Sequence, residues 1–464
     1  MANNDFIIST LNISAQQIRS LSTVKKDQKF YIQVELVPEY PECPFCGGKV
    51  KIKDHSRYKY NHMDIAGIPS VIDWKRTRYI CKDCQRTFSE TSPFGPEHFH
   101  QSYAVLNAIA LDLHNYHLSF YDIALRHHVS DTIVQLYADS FVKVPKLTLP
   151  ENIGIDEISS SMSKYGGSYL CVIVDNKGRM LHDIIPNRSK LTLSRYFEAI
   201  PLEERNKVRY VTIDMWEPYK QVCSKYLKNC EISVDPFHVI KHLTEGFTKL
   251  RVSIMNQCVY NSTSYYLLKS WHKLLESDKY DLDNEPRYNS KFKQHMNYRD
   301  LYELTLKISE ELKLAYELKE MYRDFNKNCS YEEAPARLDY LIDLFEEADL
   351  ACYKEFVQLL KNWKPEIINS FNRPYDSRRQ SNALAESYNQ KLREFMGVSN
   401  GYSNYDRFRA RALYCFNDRI FYSLTANLKS NKRQGKKEAL TKRLHQIHYH
   451  NHLTNAQKMI LMNN

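Results

Sequence analysis

Between residues 151 and 241 the apolar positions fall into short runs at strand spacing, and two of these runs end in an aspartate. Ile153-Gly154-Ile155-Asp156-Glu157 alternates and then delivers an acid. Tyr169–Asp175 and Met180–Ile185 follow across Gly166-Gly167 and Asn176-Lys177-Gly178, so the three runs read as hairpin-joined strands. Lys190–Ile200 then sets Leu193, Phe197 and Ile200 on one helical face. Tyr210–Asp214 becomes a fourth strand reached by a helical crossover, which permits parallel pairing with one of the first three. If its partner is the first strand, Asp156 and Asp214 lie side by side. Neighbouring carboxylates repel unless a cation lies between them. A divalent metal is one resolution, and unremarkable loop aspartates are the other. A fifth strand, Glu231–Asp235, runs into a helix at Pro236, with Asp235 and His238 three residues apart at the junction. There His238 serves a site, caps the helix or fills the core. The expected core is α/β with a mixed five-stranded sheet.

Helical periodicity dominates the two flanks of this region. No glycine occurs from Phe247 to Phe395, and Leu301, Leu304, Ile308, Leu312 and Ala315, then Leu338, Leu341, Ile342 and Phe345, keep one face apolar. An all-helical insertion over residues 246–370, broken near Pro286, Pro335 and Pro365, is predicted. Beyond it, Leu384, Tyr388, Leu392 and Phe395 form one helical face, and Asn382, Glu386, Asn389 and Arg393 form another. Glu386 can therefore face a site while its helix packs on a sheet, although a lone helical glutamate is ordinarily a solvated one. On the N-terminal side, Tyr121–His128 and Asp131–Phe141 read as two short helices joined around Val129-Ser130. Ala124 permits close packing, and Ile123, Val129, Ile133 and Val134 can bury the corner. This is the spacing of a helix-turn-helix, whose second helix reads a major groove, or of an ordinary helical hairpin. His128 stands where that turn often has glycine, so it must tolerate or avoid positive φ. Asp131, Thr132 and Gln135 are the candidates for base contact.

Charge and cysteine content add a partner and a metal. The 464 residues suggest roughly two to four domains. The net charge of +10 is concentrated: ten Lys/Arg face four acids between Cys43 and Phe88, and eight face Glu438 alone from Lys429 onward. Such clusters point to a polyanion, though the tail with its histidines 445, 448, 450 and 452 reads more simply as solvated charge than as a metal site. No apolar run approaches the ~18 residues needed to span a membrane, and no charged-then-apolar leader opens the chain. An intracellular location is expected, where cysteines stay reduced. Among the eleven cysteines, Cys43-Pro44-Phe45-Cys46 and Cys81-Lys82-Asp83-Cys84 are paired CxxC knuckles. Four thiolates at that spacing select a structural Zn²⁺, against the alternatives of bare turns or a redox dithiol. His55 and His62 lie between the knuckles and could ligate, but four cysteines already complete such a site.

Taken in order, these motifs resemble a DDE-type insertion-sequence transposase of the ISL-three family. The resemblance runs from Cys43 to about Asn417. It rests on the knuckles, the helix-turn-helix spacing, Ile155-Asp156-Glu157, Ile213-Asp214-Met215-Trp216, Asp235-Pro236-Phe237-His238-Val239-Ile240-Lys241-His242-Leu243 and Ser381-Asn382-Ala383-Leu384-Ala385-Glu386. Ala383 and Ser387 stand where family members often carry glycine, which leaves the carboxylate of Glu386 in place. The resemblance implies an RNase H-like core and a catalytic triad of Asp156, Asp214 and Glu386 holding Mg²⁺ or Mn²⁺. By the same resemblance Asp235 and His238 match an Asp-x-x-His signature and are expected as accessory residues that position DNA or the acid cluster. It further implies binding to double-stranded DNA, both terminal inverted repeats and target, with Arg378 and Arg379 as added candidates for contact. A homo-oligomer, at least a dimer on DNA, and a bacterial cytoplasmic, nucleoid-associated setting are expected. The organisation read along the chain is an N-terminal docking segment (1–40), a zinc-binding module (41–92), a helix-turn-helix domain (98–145), the core's first part (150–245), the insertion (246–370), the core's second part with Glu386 (371–425) and a basic tail (426–464). Two rival functions share these features: a transposase-derived DNA-binding regulator, and a metal-dependent nuclease or resolvase that cuts without joining.

Overall fold

In the computed structural model the chain divides into two units, residues 1–146 with those from 392 onward, and residues 147–391. The structure describes residues 2–162, 168–277, 279–375, 378–399 and 402–424. The basic tail from Lys429 and the Gly166-Gly167 turn lie outside the described residues. Among the described residues, no helix is long and apolar enough to cross a membrane.

The first unit begins with helix α1 (Ala2–Leu11) and the antiparallel strands β1 (Ile18–Lys26) and β2 (Lys29–Leu36). Strand β2 runs parallel to β4 (Ile68–Cys81), which pairs antiparallel with the long β3 (Val50–Ile65) and with β5 (Thr87–Ser89). Residues 1–40 are therefore not a separate docking segment. The alternation Ile32-Gln33-Val34-Glu35 buries Ile32 and Val34 with Ile7, Leu11, Tyr60, Ile72 and Trp74 in one small core. Three helices follow, α2 (Tyr103–His114), α3 (Phe120–Arg126) and α4 (Asp131–Phe141), each N-capped by a serine: Ser102, Ser119 and Ser130. His128 accepts the left-handed conformation at φ 53°, and its Nε2 lies 3.1 Å from Asp64 Oδ2. Ile123 and Val134 are fully buried at the corner.

Helix α17 (Tyr405–Phe416) belongs to this same unit. Arg407 forks onto Asp139 at 2.9 and 2.7 Å, and buried Arg411 donates to the Leu113 carbonyl. Strand β14 (Phe421–Tyr422) pairs with β6 (Val142–Lys143). The stretch predicted as one piece over 371–425 thus splits, because the aromatic and arginine residues of 402–416 satisfy carbonyls and carboxylates around α2 and α4.

The second unit is built on a five-stranded mixed sheet in the order β11-β10-β7-β8-β9. Its strands are β7 (Asn152–Ser159), β8 (Tyr169–Asp175), β9 (Met180–Ile185), β10 (Tyr210–Ile213) and β11 (Glu231–Val234). The first three pair antiparallel, and β10 and β11 add in parallel beside β7. Leu170 to Asp175 are buried on both faces of the sheet, as central strands require. Crossover helices α5 (Lys190–Glu198) and α6 (Leu202–Arg205) lead to β10, and α7 (Glu217–Tyr226) leads to β11. Leu193, Phe197, Tyr219 and Val222 supply the buried faces of α5 and α7.

Helix α8 (Pro236–Gln257) starts at the sheet and continues into the insertion. There follow α9 (Thr263–Ser270), α10 (Lys273–Glu276), the hairpin β12 (Arg287–Asn289) and β13 (Gln294–Met296), then α11 (Tyr298–Leu306), α12 (Glu310–Asn328), α13 (Ala334–Glu347), α14 (Lys354–Asn362) and α15 (Lys364–Asn369). The insertion is consequently not all-helical, since Pro286 introduces a β-hairpin. Pro335 and Pro365 open α13 and α15 instead of breaking a helix, because a first-turn proline forfeits no intrahelical hydrogen bond. One apolar cluster runs from Ile153, Ile155, Val211 and Ile213 through Phe247, Tyr322 and Phe345. Helix α16 (Ala383–Val398) follows.

Candidate active site and cysteine cluster

The register of the sheet lines up three acids. Ile155 of β7, Ile213 of β10 and Val234 of β11 are direct neighbours across the parallel pairs. The next residue on each is Asp156, Asp214 and Asp235. Strands β10 and β11 stop there, whereas β7 runs on to Ser159 against β8, so Asp156 lies within its strand and not at its end. The Asp235 N–H still donates to the Ile213 carbonyl at 3.0 Å, and its carboxylate then caps α8 through the Phe237 N–H. The first turn of α8 carries His238, whose Nδ1 lies 3.1 Å from Asp214 Oδ1. From α16 comes Glu386: one oxygen each of Glu386 and Asp235 and a ring nitrogen of His238 lie within 4.8 Å of one another. The predicted acids and both accessory residues therefore occupy one neighbourhood.

Its electrostatics are those of an unneutralised acid cluster. Asp156 is nearly buried, and that burial, with the charges of Glu157 and Asp214, pushes its carboxyl up to about 6. Burial also raises Asp235 and Glu157, the latter against the opposing effect of Arg188. Asp156 is held by two donors, the Glu157 N–H on Oδ1 and the Asn389 amide on Oδ2, both at 2.8 Å. Each oxygen keeps a lone pair free. Asp214 Oδ1 takes the Met215 N–H at 2.5 Å as well as facing His238. Its second oxygen is left for a ligand. This donor set of hard oxygens and one imidazole fits a divalent cation, and repulsion among the acids gives that cation something to neutralise.

Several supporting residues carry no signal of their own in the sequence. Asn382 and Asn389, read as part of a polar helical face, are buried. Asn382 donates to the Ile155 carbonyl at 2.9 Å, while Asn389 spans Asp156 and the Glu157 carbonyl. Glu386 lies between them on α16, so the two amides fix its helix against β7. Buried Gln380 accepts from the Thr212 and Ser233 hydroxyls, tying the approach to α16 onto β10 and β11. Glu157 pairs with Arg188, whose guanidinium sits 4.2 Å from the Tyr169 ring centroid and 4.8 Å from that of Trp216. An apolar-polar pattern reports which face a residue is on. It does not say that an asparagine on that face will meet a strand carbonyl.

The remaining sequence candidates fall elsewhere. Asp131 and Thr132 are exposed in the first turn of α4, and Gln135 is half-buried with its carbonyl accepting from Arg407. Arg378 is exposed. Arg379 is not available as drawn from sequence: its guanidinium donates to the carbonyls of Ser370 and Asn326 and to the Ser370 hydroxyl, and it stacks 3.8 Å from the Phe371 centroid. A cation between an apolar ring and three acceptors is a packing residue.

Cys43, Cys46, Cys81 and Cys84 converge at the end of the β3–β4 hairpin. Their sulfurs approach at 3.6 Å (Cys43–Cys84) and 3.5 Å (Cys46–Cys81), close to the roughly 3.8 Å edge of a tetrahedron with 2.3 Å zinc–sulfur bonds. The backbone N–H groups of Asp83 and Cys84 both point at Cys81 Sγ. The set fits a structural zinc. His55 is exposed and His62 is buried against Ser102, so neither joins it.

Comparison with known proteins agrees with this geometry. A family model described as a transposase matches residues 153–412, more than half of the chain, and one described as the zinc-finger of transposase IS204/IS1001/IS1096/IS1165 matches residues 39–84. The transposase for insertion sequence element IS1001 from Bordetella parapertussis is 25% identical over 286 residues, which span 61% of this chain and 64% of that protein. The transposase for IS1557 from Mycobacterium tuberculosis is 29% identical over 118 residues, about a quarter of each chain. The chain thus spans less than two thirds of the curated relatives it matches. The row of acids lies inside the first matched stretch and the four cysteines inside the second, and the chain belongs to the ISL-three family of DDE transposases.

Proposed function

We propose that this protein is a transposase that recognises the terminal inverted repeats of an insertion sequence and catalyses metal-dependent strand cleavage and strand transfer. The single observation that carries the reading is the acid row Asp156–Asp214–Asp235 on neighbouring strands, with Glu386 on a helix clamped to the first of them. A mixed sheet with three antiparallel and two parallel strands, acids at the parallel edge and a helical insertion before the last acid is what an RNase H-like core requires.

Phosphodiester chemistry needs an attacking oxygen activated and a leaving oxygen stabilised in line across phosphorus. Two magnesium or manganese ions, bound by the carboxylates, would supply both. Asp156 would help to hold the ion beside Asp214, because each of its oxygens keeps a free lone pair after its hydrogen bonds to Glu157 and Asn389. Asp214 would hold one position through Oδ2, and Glu386 the other. Asn382 and Asn389 orient the helix of Glu386, so that the acids stand ready without a change of backbone. On the first unit, α3 and α4 act as a helix-turn-helix, with Asp131 and Thr132 offered to base edges and the lysines and arginines of residues 49–86 to phosphates. Arg378 is a further phosphate contact. An assembly of two or more copies on DNA would bring both ends together.

The test is a strand-transfer assay with full-length protein, Mg²⁺ or Mn²⁺, and the DNA flanking the gene. Wild type should cut at the repeats and join the cut ends to target. Asp214→Asn should bind the repeats as wild type does and fail to cut. Cutting without joined products would reduce the protein to a nuclease. Repeat binding without any cutting by wild type would reduce it to a regulator.

A further inference from the structure

The chemical character of the position beside Glu386 goes beyond the acid triad. Among the described residues, only two groups have donor atoms grouped closely enough to hold a metal ion: the four cysteines, and Asp235 with His238 and Glu386. Asp156 and Asp214 are not in the second group. Asp235 is 3% exposed, held by the Phe237 N–H, and delivered by the strand end; His238 follows one helical turn later; Glu386 arrives from α16. All three donors lie within 4.8 Å of one another, while ligands around an octahedral ion with bonds near 2.1 Å stand roughly 3–4.2 Å apart. Asp214 Oδ1 faces His238 Nδ1 at 3.1 Å. A carboxylate on one ring nitrogen holds the proton there and turns the other lone pair outward, the arrangement found behind metal-bound histidines.

We propose that Asp235, His238 and Glu386 hold a divalent ion of their own, with His238 as a direct nitrogen ligand and Asp214 as the carboxylate that orients it. This rests on the active-site reading above and deepens it. The two ion positions are then chemically unequal. The one at Asp156 and Asp214 is all oxygen, and the one at Glu386 contains an imidazole. Nitrogen donors favour later and softer divalent ions over magnesium. The Glu386 position therefore takes manganese in preference to magnesium, and a mixed pair, manganese there and magnesium beside it, is the natural loading.

The experiment uses full-length protein loaded with Mn²⁺, read by continuous-wave EPR for bound manganese and by pulsed EPR for nitrogen coupling, with zinc content and circular dichroism as controls of folding. Wild type should display directly coupled nitrogen that Mg²⁺ displaces poorly. His238→Ala and His238→Gln should each lose that coupling and weaken manganese binding by about tenfold or more, as loss of a ligand or its orienting partner does. Asp156→Asn should keep the nitrogen signal while losing the other ion. Unchanged nitrogen coupling in both His238 variants, or none in wild type, overturns the assignment. If Asp156→Asn abolishes cutting while the His238 variants retain the signal, the active site stands and this assignment alone falls. If Asp156→Asn cuts like wild type, the active site and this assignment fall together.

Discussion

The cysteine cluster and the acid row are both shaped for metals, yet they are assembled in opposite ways. Each cysteine pair is set by a three-residue spacing in one loop, and the two loops meet because a single hairpin, β3–β4, joins them. The acids come from three strands and a helix separated by up to 230 residues in sequence, from Asp156 to Glu386. The thiolates come together at near-tetrahedral spacing with N–H groups already aimed at sulfur. The carboxylates come together where burial first, and the neighbouring acids Glu157 and Asp214 after it, drive Asp156 up to about 6. One cluster uses a metal to complete a fold. In the other the fold confines charge so that an ion and a substrate can neutralise it. Stability and function should therefore separate when each is damaged.

The largest effect is expected from Cys81→Ser/Cys84→Ser. The zinc content should fall by about one ion per chain, removing a contribution that in small zinc modules reaches roughly 10–16 kcal/mol. The sheet core around Ile32 and Trp74 remains, so hydrogen exchange should rise around residues 43–50 and 81–87 and much less in β1 and β2. Full zinc retention would break the comparison on its structural side. Glu386→Gln should do the reverse. Glu386 is exposed, so the unfolding midpoint should hardly move, while single-turnover cleavage falls by at least about a thousandfold, some 4 kcal/mol of barrier. Cleavage within tenfold of wild type would break the comparison on its catalytic side.

The contrast also explains what could be read from sequence. The knuckles are local, so their spacing carried the whole signal. A parallel pairing of the Tyr210–Asp214 strand with one of the first three was legible because a helical crossover permits it, and the partner proved to be the first, β10 on β7. Asp235 completed a row whose register no periodicity reveals. Strands β1 and β2 escaped notice because β1 pairs with β2, whose own parallel partner, β4, lies beyond the first knuckle. Helix α17 was assigned with the core by proximity to Glu386, although Arg407 and Arg411 find their acceptors some 270–300 residues earlier, at Asp139 and Leu113. Arg379 looked like a DNA contact because charge is visible in a sequence and the carbonyls that consume it are not.

Two smaller perturbations sharpen the claim that the acids are held at a cost. Asn389→Leu keeps size but removes the donor to Asp156 Oδ2. Cleavage should slow by about 10–100-fold, the usual range for losing a residue that orients a metal ligand, with Asp235 and His238 untouched. Asp156→Asn should instead stabilise the metal-free protein at neutral pH. The folded-state value of about 6 lies above the ordinary 3.8, so the folded chain keeps a proton between those pH values that the unfolded chain has released. The stability this confers is present below about pH 4, declines as pH rises towards 6 and is gone above it, leaving a penalty of the order of 2–3 kcal/mol at pH 7. The variant lacks that titration, and Asn389, whose Oδ1 has no partner, can turn its amide to suit. Denaturant midpoints should favour Asp156→Asn at pH 7 and converge near pH 4. A constant gap across that range would show that Asp156 is not titrating in the fold.

The finest test compares two glycines. A Cβ on Gly154, two residues before Asp156, would meet Val174 Cγ2 at 2.8 Å and Asn382 Oδ1 at 3.1 Å. Asn382 is the residue that fastens the start of α16 to the Ile155 carbonyl. Gly154→Ala should therefore cost roughly 1–3 kcal/mol through overpacking and slow cleavage as well, because the displaced asparagine carries the helix of Glu386 with it. A Cβ on Gly47 in the first knuckle would meet nothing within 4 Å, so the only penalty there is the positive φ of 73°. Gly47→Ala should cost about 1 kcal/mol, with zinc stoichiometry and cleavage rate both preserved. In the knuckle the ligand spacing is covalent and survives a strained turn. At the acids it is a matter of packing and does not survive a methyl group. Zinc loss in Gly47→Ala beside unaltered cleavage in Gly154→Ala would invert that order, and with it the distinction between a cluster written locally and one assembled by the fold.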